Sequence, residues 1–367
     1  LPVKFRCERD TLADAIAVAQ RAVASRTGAL PVLSGLRVSP TSSGVELVGS
    51  DLELTIRVEA PADTEGDGSS VVPARLFSEI VHKLEAGTVT VEFTDDEARV
   101  EAGRFRTSLR TLSAADFPRL TEPSGAGVKV ASGALTEALR QVVPAASRDD
   151  ARPILTGVLL AASAGGLRLV ATDSYRLAVR DLQGVSMLPE GQKVLVAGKG
   201  LGEVQRLLGD EEIEVVLAER EVVFRVGRTS VTTRLIEGDF PNYEQLIPSG
   251  YPNKLTVARD QLSAAINRVR LVGQGRDTAP IRLAMTAEGL ELSAVAQDVG
   301  EAHEMVEAKY EGGDLTVAFN SQFLLEGIDA ASGSEIVIES IDPLKPAVLK
   351  GTDSGDFLYL LMPVRIS

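Results

Sequence analysis

The sequence predicts an α+β protein made of three homologous domains in tandem, and three observations carry that reading. First, one long block recurs. It reads "ALPVLSGLRVSPTSSGVELVGSDLELTIRVEA" from Ala29, "ARPILTGVLLAASAGGLRLVATDSYRLAVRDL" from Ala151 and, more divergently, "APIRLAMTAEGLELSAVAQDVGEAHEMVEA" from Ala279. Its opening proline returns at Pro31, Pro153 and Pro280, and an aspartate at the strand end returns at Asp51, Asp173 and Asp298. Second, "FPRL" at 117–120 is answered by "FPNY" at 240–243, while the Pro/Gly-rich "TEPSGAG" and "IPSGYPN" fall between copies as linkers. Third, every copy runs through the same order of elements. The period is that of a domain rather than a solenoid unit, so the predicted bounds are 1–122, 128–247 and 253–367.

Within each copy the elements follow from hydrophobic periodicity. A short extended lead ("VKFRCERD", "GVKVASG", "NKLTVARD") precedes a helical stretch ("TLADAIAVAQRAVAS", "ALTEALRQVVPAAS", "QLSAAINRVRLV"). Strands come next, such as "GVELVGSD" and "GLRLVATD", with apolar residues at every second position. A second helix ("ARLFSEIVHKLE", "GLGEVQRLLG", "SQFLLEGIDAAS") and further strands complete the copy. Each domain is therefore two helices packed on largely antiparallel sheet.

Composition narrows the function. The chain of 367 residues is 44% hydrophobic and 25% charged, as in globular proteins, and no apolar run approaches the ~20 residues that span a bilayer. It opens on Leu1 with no charged-then-apolar leader, so neither membrane nor secretion is expected. One cysteine, Cys7, can make neither an internal disulfide nor a zinc site alone, which suits a reducing cytoplasm. Two histidines, His82 and His303, leave little material for metal or triad chemistry, and no cofactor is expected. "AGKGLG" around Lys199 lacks the P-loop spacing and places the lysine between glycines rather than at a helix start. "DTEGDGSS" lacks the ligand spacing of a calcium loop.

A net charge of −14 argues against a simple basic DNA-binding protein, but the field depends on where charges sit. At 100° per residue, Leu12, Ile16, Ala19 and Val23 form the apolar stripe of the first helix, with Arg21 opposite. In the second copy Leu135, Leu139 and Val142 form it, with Arg140 well off the stripe; in the third, Arg268 and Arg270 flank Leu262, Ile266 and Val269. Arg206 opposes Leu201 and Leu208 on another helix. Repeated on equivalent helices, this pattern describes either solvated faces or one basic surface that binds phosphates without reading sequence.

"ATDSYRLAV" (171–179) has the look of a catalytic cluster, a hydrolase or transferase using Asp173, Ser174, Tyr175 and Arg176. Against this, Ser174 has no histidine or lysine in the motif to act as its base. Copy one carries Leu52, Glu53 and Leu54 at the corresponding positions, so the fold does not need the polar set.

The ordered set "LPVLSG", "VPARLFSEI", "TLSAADFPRL", "ATDSYRLAV", "GDFPNYEQLIP", "VAFNSQFLL" and "YLLMPVRIS" resembles the bacterial DNA polymerase III beta subunits, the sliding clamps, over all three copies. The resemblance implies three tandem DNA-clamp domains and a head-to-tail homodimeric ring, its helices lining a hole that takes duplex DNA. It implies a non-catalytic processivity factor whose pocket between the second and third domains takes linear peptides. The implied partners are the replicative polymerase alpha subunit, the clamp loader, repair polymerases, ligase and mismatch-repair proteins, in a cytoplasmic, nucleoid-associated setting. A repeat-domain interaction scaffold that does not encircle DNA is the alternative.

Carried over motif by motif, the pocket comprises Leu155, Thr172, Ser174, Tyr175, Arg176, Leu177, Pro241, Leu246, Asn320, Phe323, Leu344, Pro346, Leu360, Met362, Pro363, Val364 and Arg365. In it Arg176 or Arg365 would anchor a peptide carbonyl or carboxylate, while Asp173 reads as structural. The DNA-contacting positions are Arg26, Arg148, Arg152 and Lys199, to which the helix geometry adds Arg21, Arg140, Arg206 and Arg268. The dimer contacts are Arg75, Arg104 and Arg106 facing Glu301 and Glu304, with Leu271 and Val272 as apolar contact.

Overall fold

The computed structural model describes residues 3–24, 30–94, 96–123, 125–163, 165–209, 211–273, 280–353 and 355–365. Six α-helices occur among them, two per copy: α1 (Arg9–Ala19), α2 (Ala74–Lys83), α3 (Ser132–Val142), α4 (Gly198–Leu207), α5 (Arg259–Val269) and α6 (Ser321–Ala330). All six fall where the periodicity predicts them. The first helix of each copy ends in a short 3-10 turn, at Gln20–Ala22, Val143–Ala145 and Arg270–Gly273. That tightening moves Val23 off the predicted stripe: it is extended and half-buried, and Ala22 takes the buried place.

Helix α4 begins two residues before its predicted start, so Lys199 lies in its first turn rather than between loop glycines. The glycines serve packing instead. A Cβ on Gly200 would stand 2.5 Å from the Thr233 side chain, and one on Gly198 would stand 2.9 Å from the Thr156 carbonyl.

The strands form four antiparallel sheets, and two of these cross the boundaries between copies. An eight-stranded sheet holds strands of the first and second copies, joined where Leu54–Pro61 pairs with Thr229–Arg234. A nine-stranded sheet holds strands of the second and third, joined where Arg176–Gln183 pairs with Phe357–Leu361. The chain accordingly clusters into two compact units, 1–132 with 199–235 and 133–198 with 236–367, and the second copy contributes to both. The first unit also holds a five-stranded sheet ending on Phe105–Arg110, and the second a four-stranded sheet ending on Gly300–Val306.

The third copy departs from the alignment read in the sequence. Pro31 and Pro153 open 3-10 turns, whereas Pro280 is the first residue of the strand Pro280–Thr286. Asp51 and Asp173 each cap a tight turn. Asp51 Oδ1 accepts from the Glu53 and Leu54 N–H groups at 3.0 and 2.8 Å, and Asp173 Oδ1 from Tyr175 and Arg176 at 2.9 and 3.0 Å. Asp298 instead lies inside a turn between strands Gly289–Ala296 and Gly300–Val306, where the Val299 N–H donates to the Ala296 carbonyl at 3.0 Å.

Candidate docking site and cationic positions

The second unit gathers most of the predicted pocket around its inter-copy sheet junction. Leu177 and Leu360 face each other across it and are 1% and 2% exposed, so they are floor rather than rim. They share an apolar cluster with Val179, Leu195 and Tyr243, on which Ile154, Phe240 and Ile247 pack. Sequence reasoning took Pro241 and Leu246 from "FPNYEQLIP" but passed over Tyr243 and Ile247. The signal was their four-residue spacing, Tyr243 opening the short 3-10 turn Tyr243–Leu246 and Ile247 closing it.

The rim above this floor is apolar and open. Tyr175 is 59% exposed, Leu246 47%, Leu344 69% and Met362 38%. The Met362 N–H donates to the Tyr175 carbonyl at 2.9 Å, and the Val364 N–H to the Ala318 carbonyl at 2.8 Å. These bonds carry the C-terminal segment, with Pro363 and exposed Arg365, along the junction. Tyr175 stacks on Phe323 at 6.4 Å between centroids. Ser174 holds a left-handed φ of +79°, which lifts it and Tyr175 out of the sheet. Leu155 and Pro346 are half-buried, and Pro241 is exposed.

Three predicted pocket residues have other work. Arg176 is buried, and its guanidinium is committed inside the unit. Nε donates to Asp173 at 3.0 Å, Nη1 to Glu326 and to the Tyr359 hydroxyl, and Nη2 to the Pro144 carbonyl at 2.5 Å. The group also sits 4.3 Å from the Phe323 ring centroid. Burial works against its charge, but the Tyr359 hydroxyl and Glu326 outweigh that and hold it ionised. The expectation that Arg176 anchors a peptide is thereby corrected: a buried cation needs permanent partners, and it frames the pocket through Phe323 and the Asp173 turn. Asn320 is likewise a helix cap, its Oδ1 accepting from the Gln322 and Phe323 N–H groups at 2.9 and 3.2 Å. Thr172 Oγ1 donates to the Arg176 carbonyl at 2.6 Å and closes the same turn.

The predicted DNA-contacting cations are all described except Arg26, which lies outside the described residues. In the first unit, Arg21 lies 3.7 Å from Glu203, a carboxylate that Arg206 also contacts, and Lys199 reaches Asp51. In the second unit, Arg148 is exposed, while Arg152 contacts Asp149 at 3.0 Å and the Ser174 hydroxyl at 3.2 Å. Arg140 departs from the expectation. It pairs with Glu137 at 2.6 Å and donates to the Asp329 carbonyl at 2.6 Å and the Ala330 carbonyl at 3.3 Å, bolting α3 to the C-terminal end of α6. Buried Gln141 adds a bond to the Ala330 carbonyl at 2.8 Å.

Arg268, predicted to meet DNA, and Glu304, predicted to meet a second subunit, form a fork with each other, Nε to Oε2 at 2.9 Å. Arg75 is exposed and bonds Glu79 at 2.9 Å; Arg104 and Arg106 are exposed, with Arg106 3.4 Å from Glu101. Leu271 is 53% exposed, Val272 is half-buried, and Glu301 is exposed beside His303. Among the described residues no three His, Cys, Asp or Glu side chains are grouped to hold a metal.

A threefold tandem of helices on shared antiparallel sheets, with exposed apolar side chains gathered at one sheet junction, is the architecture of the DNA-clamp class. Three family models match in the same order: DNA polymerase III beta subunit N-terminal domain over residues 3–121, central domain over 129–242 and C-terminal domain over 244–365. The beta sliding clamp of Staphylococcus epidermidis is 31% identical, with 99% of each chain covered. The sliding clamp of Bacillus subtilis superimposes with a TM-score of 0.90 at 29% identity, all of both chains covered. The C. crescentus beta sliding clamp, with polyethylene glycol bound to its putative beta-motif tethering region, gives 0.91 at 27%, covering 100% of this chain and 99% of that one. The chain belongs to the DNA polymerase III beta subunit family, the beta sliding clamps. It is a replication processivity factor, not an enzyme.

Proposed function

We propose that two copies of this chain close head to tail into a ring around duplex DNA, and that the pocket at the second sheet junction tethers the replicative polymerase. One observation carries the ring. Both internal junctions are made by joining the edge strands of neighbouring copies, and one such pair of edges is left over. The five-stranded sheet ends on Phe105–Arg110, the counterpart of Thr229–Arg234 and Phe357–Leu361. The four-stranded sheet ends on Gly300–Val306, the counterpart of Leu54–Pro61 and Arg176–Gln183. Joined across two subunits, they complete a nine-stranded sheet like the one already inside the chain. An edge of unpaired N–H and C=O groups is a ready template for such pairing. In the register of the internal junctions, Arg106 stands across from His303 and diagonal to Glu301, and Phe105 across from Glu304. The groove of about 1030 Å³ lined by Leu76, Ile80, Arg104 and Phe105 takes the partner's Leu271 and Val272.

Within the ring Arg21, Arg148, Arg152, Lys199 and Arg206 face phosphates, and Arg26 joins them. The carboxylate partners of Arg21, Arg152, Lys199 and Arg206 keep those contacts weak and exchangeable, which suits sliding. The three domains take the bounds 1–122, 128–247 and 253–367. The pocket serves the polymerase alpha subunit, the clamp loader, repair polymerases, ligase and mismatch-repair proteins in turn, in the cytoplasm at the nucleoid. Tethering raises the local concentration of each partner at the primer end. The C. crescentus relative carries polyethylene glycol at its putative tethering region, which supports an apolar pocket of this kind.

The test loads the protein onto nicked circular DNA with a clamp loader and then linearises the circle. Release upon linearisation is expected; retention on linear ends sinks the ring. For the pocket, removing residues 363–367 abolishes binding of partner peptides while sedimentation still shows a dimer. Unchanged peptide affinity refutes the pocket.

A further inference from the structure

The first sheet junction carries a cavity that the reading above does not use. It encloses about 390 Å³ within the first unit and is built on the same backbone as the apolar pocket at the second junction. The correspondence holds bond by bond. The Arg234 N–H donates to the Glu53 carbonyl at 3.1 Å, as the Met362 N–H does to the Tyr175 carbonyl at 2.9 Å. Thr55 pairs with Thr232 across the strands, as Leu177 does with Leu360. Among the described residues only Leu52 and Ser174 combine a side chain with positive φ, at +78° and +79°, and both follow the capping aspartate of their turn.

What differs is the lining. Leu177, Val179, Leu360 and Met362 at the second junction become Thr55, Arg57, Thr232 and Arg234 at the first. Arg119 enters from the segment after Phe117, beside Pro118 and Leu120. Among the described residues no carboxylate lies within ion-pairing distance of Arg119 or Arg234, and both are exposed. Arg57 is sunk behind them. It donates to the Leu120 carbonyl, holds Glu46 and Glu122 only at 3.9 and 3.8 Å, and leaves a buried Nε without a hydrogen bond.

Leu52 adds a second line of argument. A leucine held at positive φ is strained, and its side chain, 37% exposed, is kept at the mouth of the cavity. Arg57, Arg119 and Arg234 outnumber the lining carboxylates Glu53 and Glu221, and with the threonine hydroxyls and the apolar Leu52, Pro118 and Leu120 they match a segment that alternates carboxylate and apolar side chains. A nucleic-acid backbone would leave the apolar side chains of Leu52, Pro118 and Leu120 unused.

We propose that the first sheet junction is a second docking pocket, selective for acidic linear peptides where the second junction takes apolar ones. The site does not depend on ring closure.

The test uses the full-length protein and a fluorescein-labelled hexapeptide alternating aspartate and leucine, read by polarisation, beside its asparagine counterpart. Saturable binding of the aspartate peptide is expected, weakened at least tenfold in the double variant Arg119→Ala, Arg234→Ala and unchanged in Leu344→Ala at the second junction. Thermal melting at the wild-type temperature confirms that the double variant is folded. No saturable binding up to millimolar protein overturns the proposal, as does equal affinity for the asparagine peptide. Loss of binding in Leu344→Ala alone returns the peptide to the second junction and refutes the site. Displacement of the peptide by a duplex oligonucleotide, abolished in the double variant, reassigns the cavity to phosphate.

Discussion

Replacing Arg176 with methionine keeps the volume of the side chain and removes its charge, which isolates what the guanidinium contributes. Four groups lose a donor: Asp173, Glu326, the Tyr359 hydroxyl and the Pro144 carbonyl, and Phe323 loses the cation over its face. Breaking a buried pair on one side costs about 3–5 kcal/mol, because the abandoned carboxylate stays desolvated. Glu326 retains a bond from Gln322 at 2.7 Å, and Asp173 retains its two turn N–H groups, so the lower end, about 3 kcal/mol, is expected. The measurement is a urea titration followed by tyrosine fluorescence, at fixed protein concentration since any dimer adds to apparent stability. A further change of Glu326 to glutamine in the same background should recover about 1–2 kcal/mol, since the orphaned charge is then gone. A loss below about 1 kcal/mol, or no recovery, would refute the reasoning that this cluster holds the second unit's junction together.

Other consequences can be checked more briefly. Gly327→Ala puts a Cβ 2.6 Å from the ring of Tyr359, which is held by Arg176 and by its own bond to the Phe323 carbonyl at 2.9 Å. Overpacking there should cost about 1–3 kcal/mol by the same titration. The Cys7 thiol, pushed up to about 11 by burial and then by Glu8, should react with a disulfide reagent at pH 8 only on unfolding; its stability contribution is full below pH 9.0 and is lost as pH rises from there through about 11. Prompt native labelling would count against it. His303 is held above its ordinary value by its bond to Glu291 and then by Glu301, so its NMR titration midpoint should lie high and fall in Glu291→Gln. Its stabilising protonation is present below the ordinary histidine range and lost as pH rises through the folded value.

The helices were legible in the sequence because 3.6-residue periodicity needs only local information, and all six appear in place. The pairing between copies was not. Nothing local in "LELTIRVEA" says that its partner is "TSVTTR" in the next copy, since strand pairing is settled by long-range register. The third copy's alignment failed for a related reason: Pro280 and Asp298 match by identity, but Pro280 takes the strand position of Gly35, and the strand Gly289–Ala296 is one residue longer than Gly44–Ser50. At the candidate site, the apolar rim at Tyr175, Leu246, Leu344 and Met362 was readable from motifs. The fates of Arg176 and Arg140 were not, because a basic residue near a predicted pocket or helix face looks the same whether it meets solvent or acceptors within the protein.

The two leftover edges differ in sign. Phe105–Arg110 carries Arg106 and Arg110 and follows Arg104, while Gly300–Val306 carries Glu301 and Glu304. Two copies of the first edge laid together would set arginine beside arginine, and two of the second glutamate beside glutamate. Like charges so placed are unfavourable, so each edge rejects its own kind and accepts the other. In the proposed ring, assembly would thereby acquire a direction: every contact would be heterologous, and only closure of the circle would stop the chain of subunits from growing.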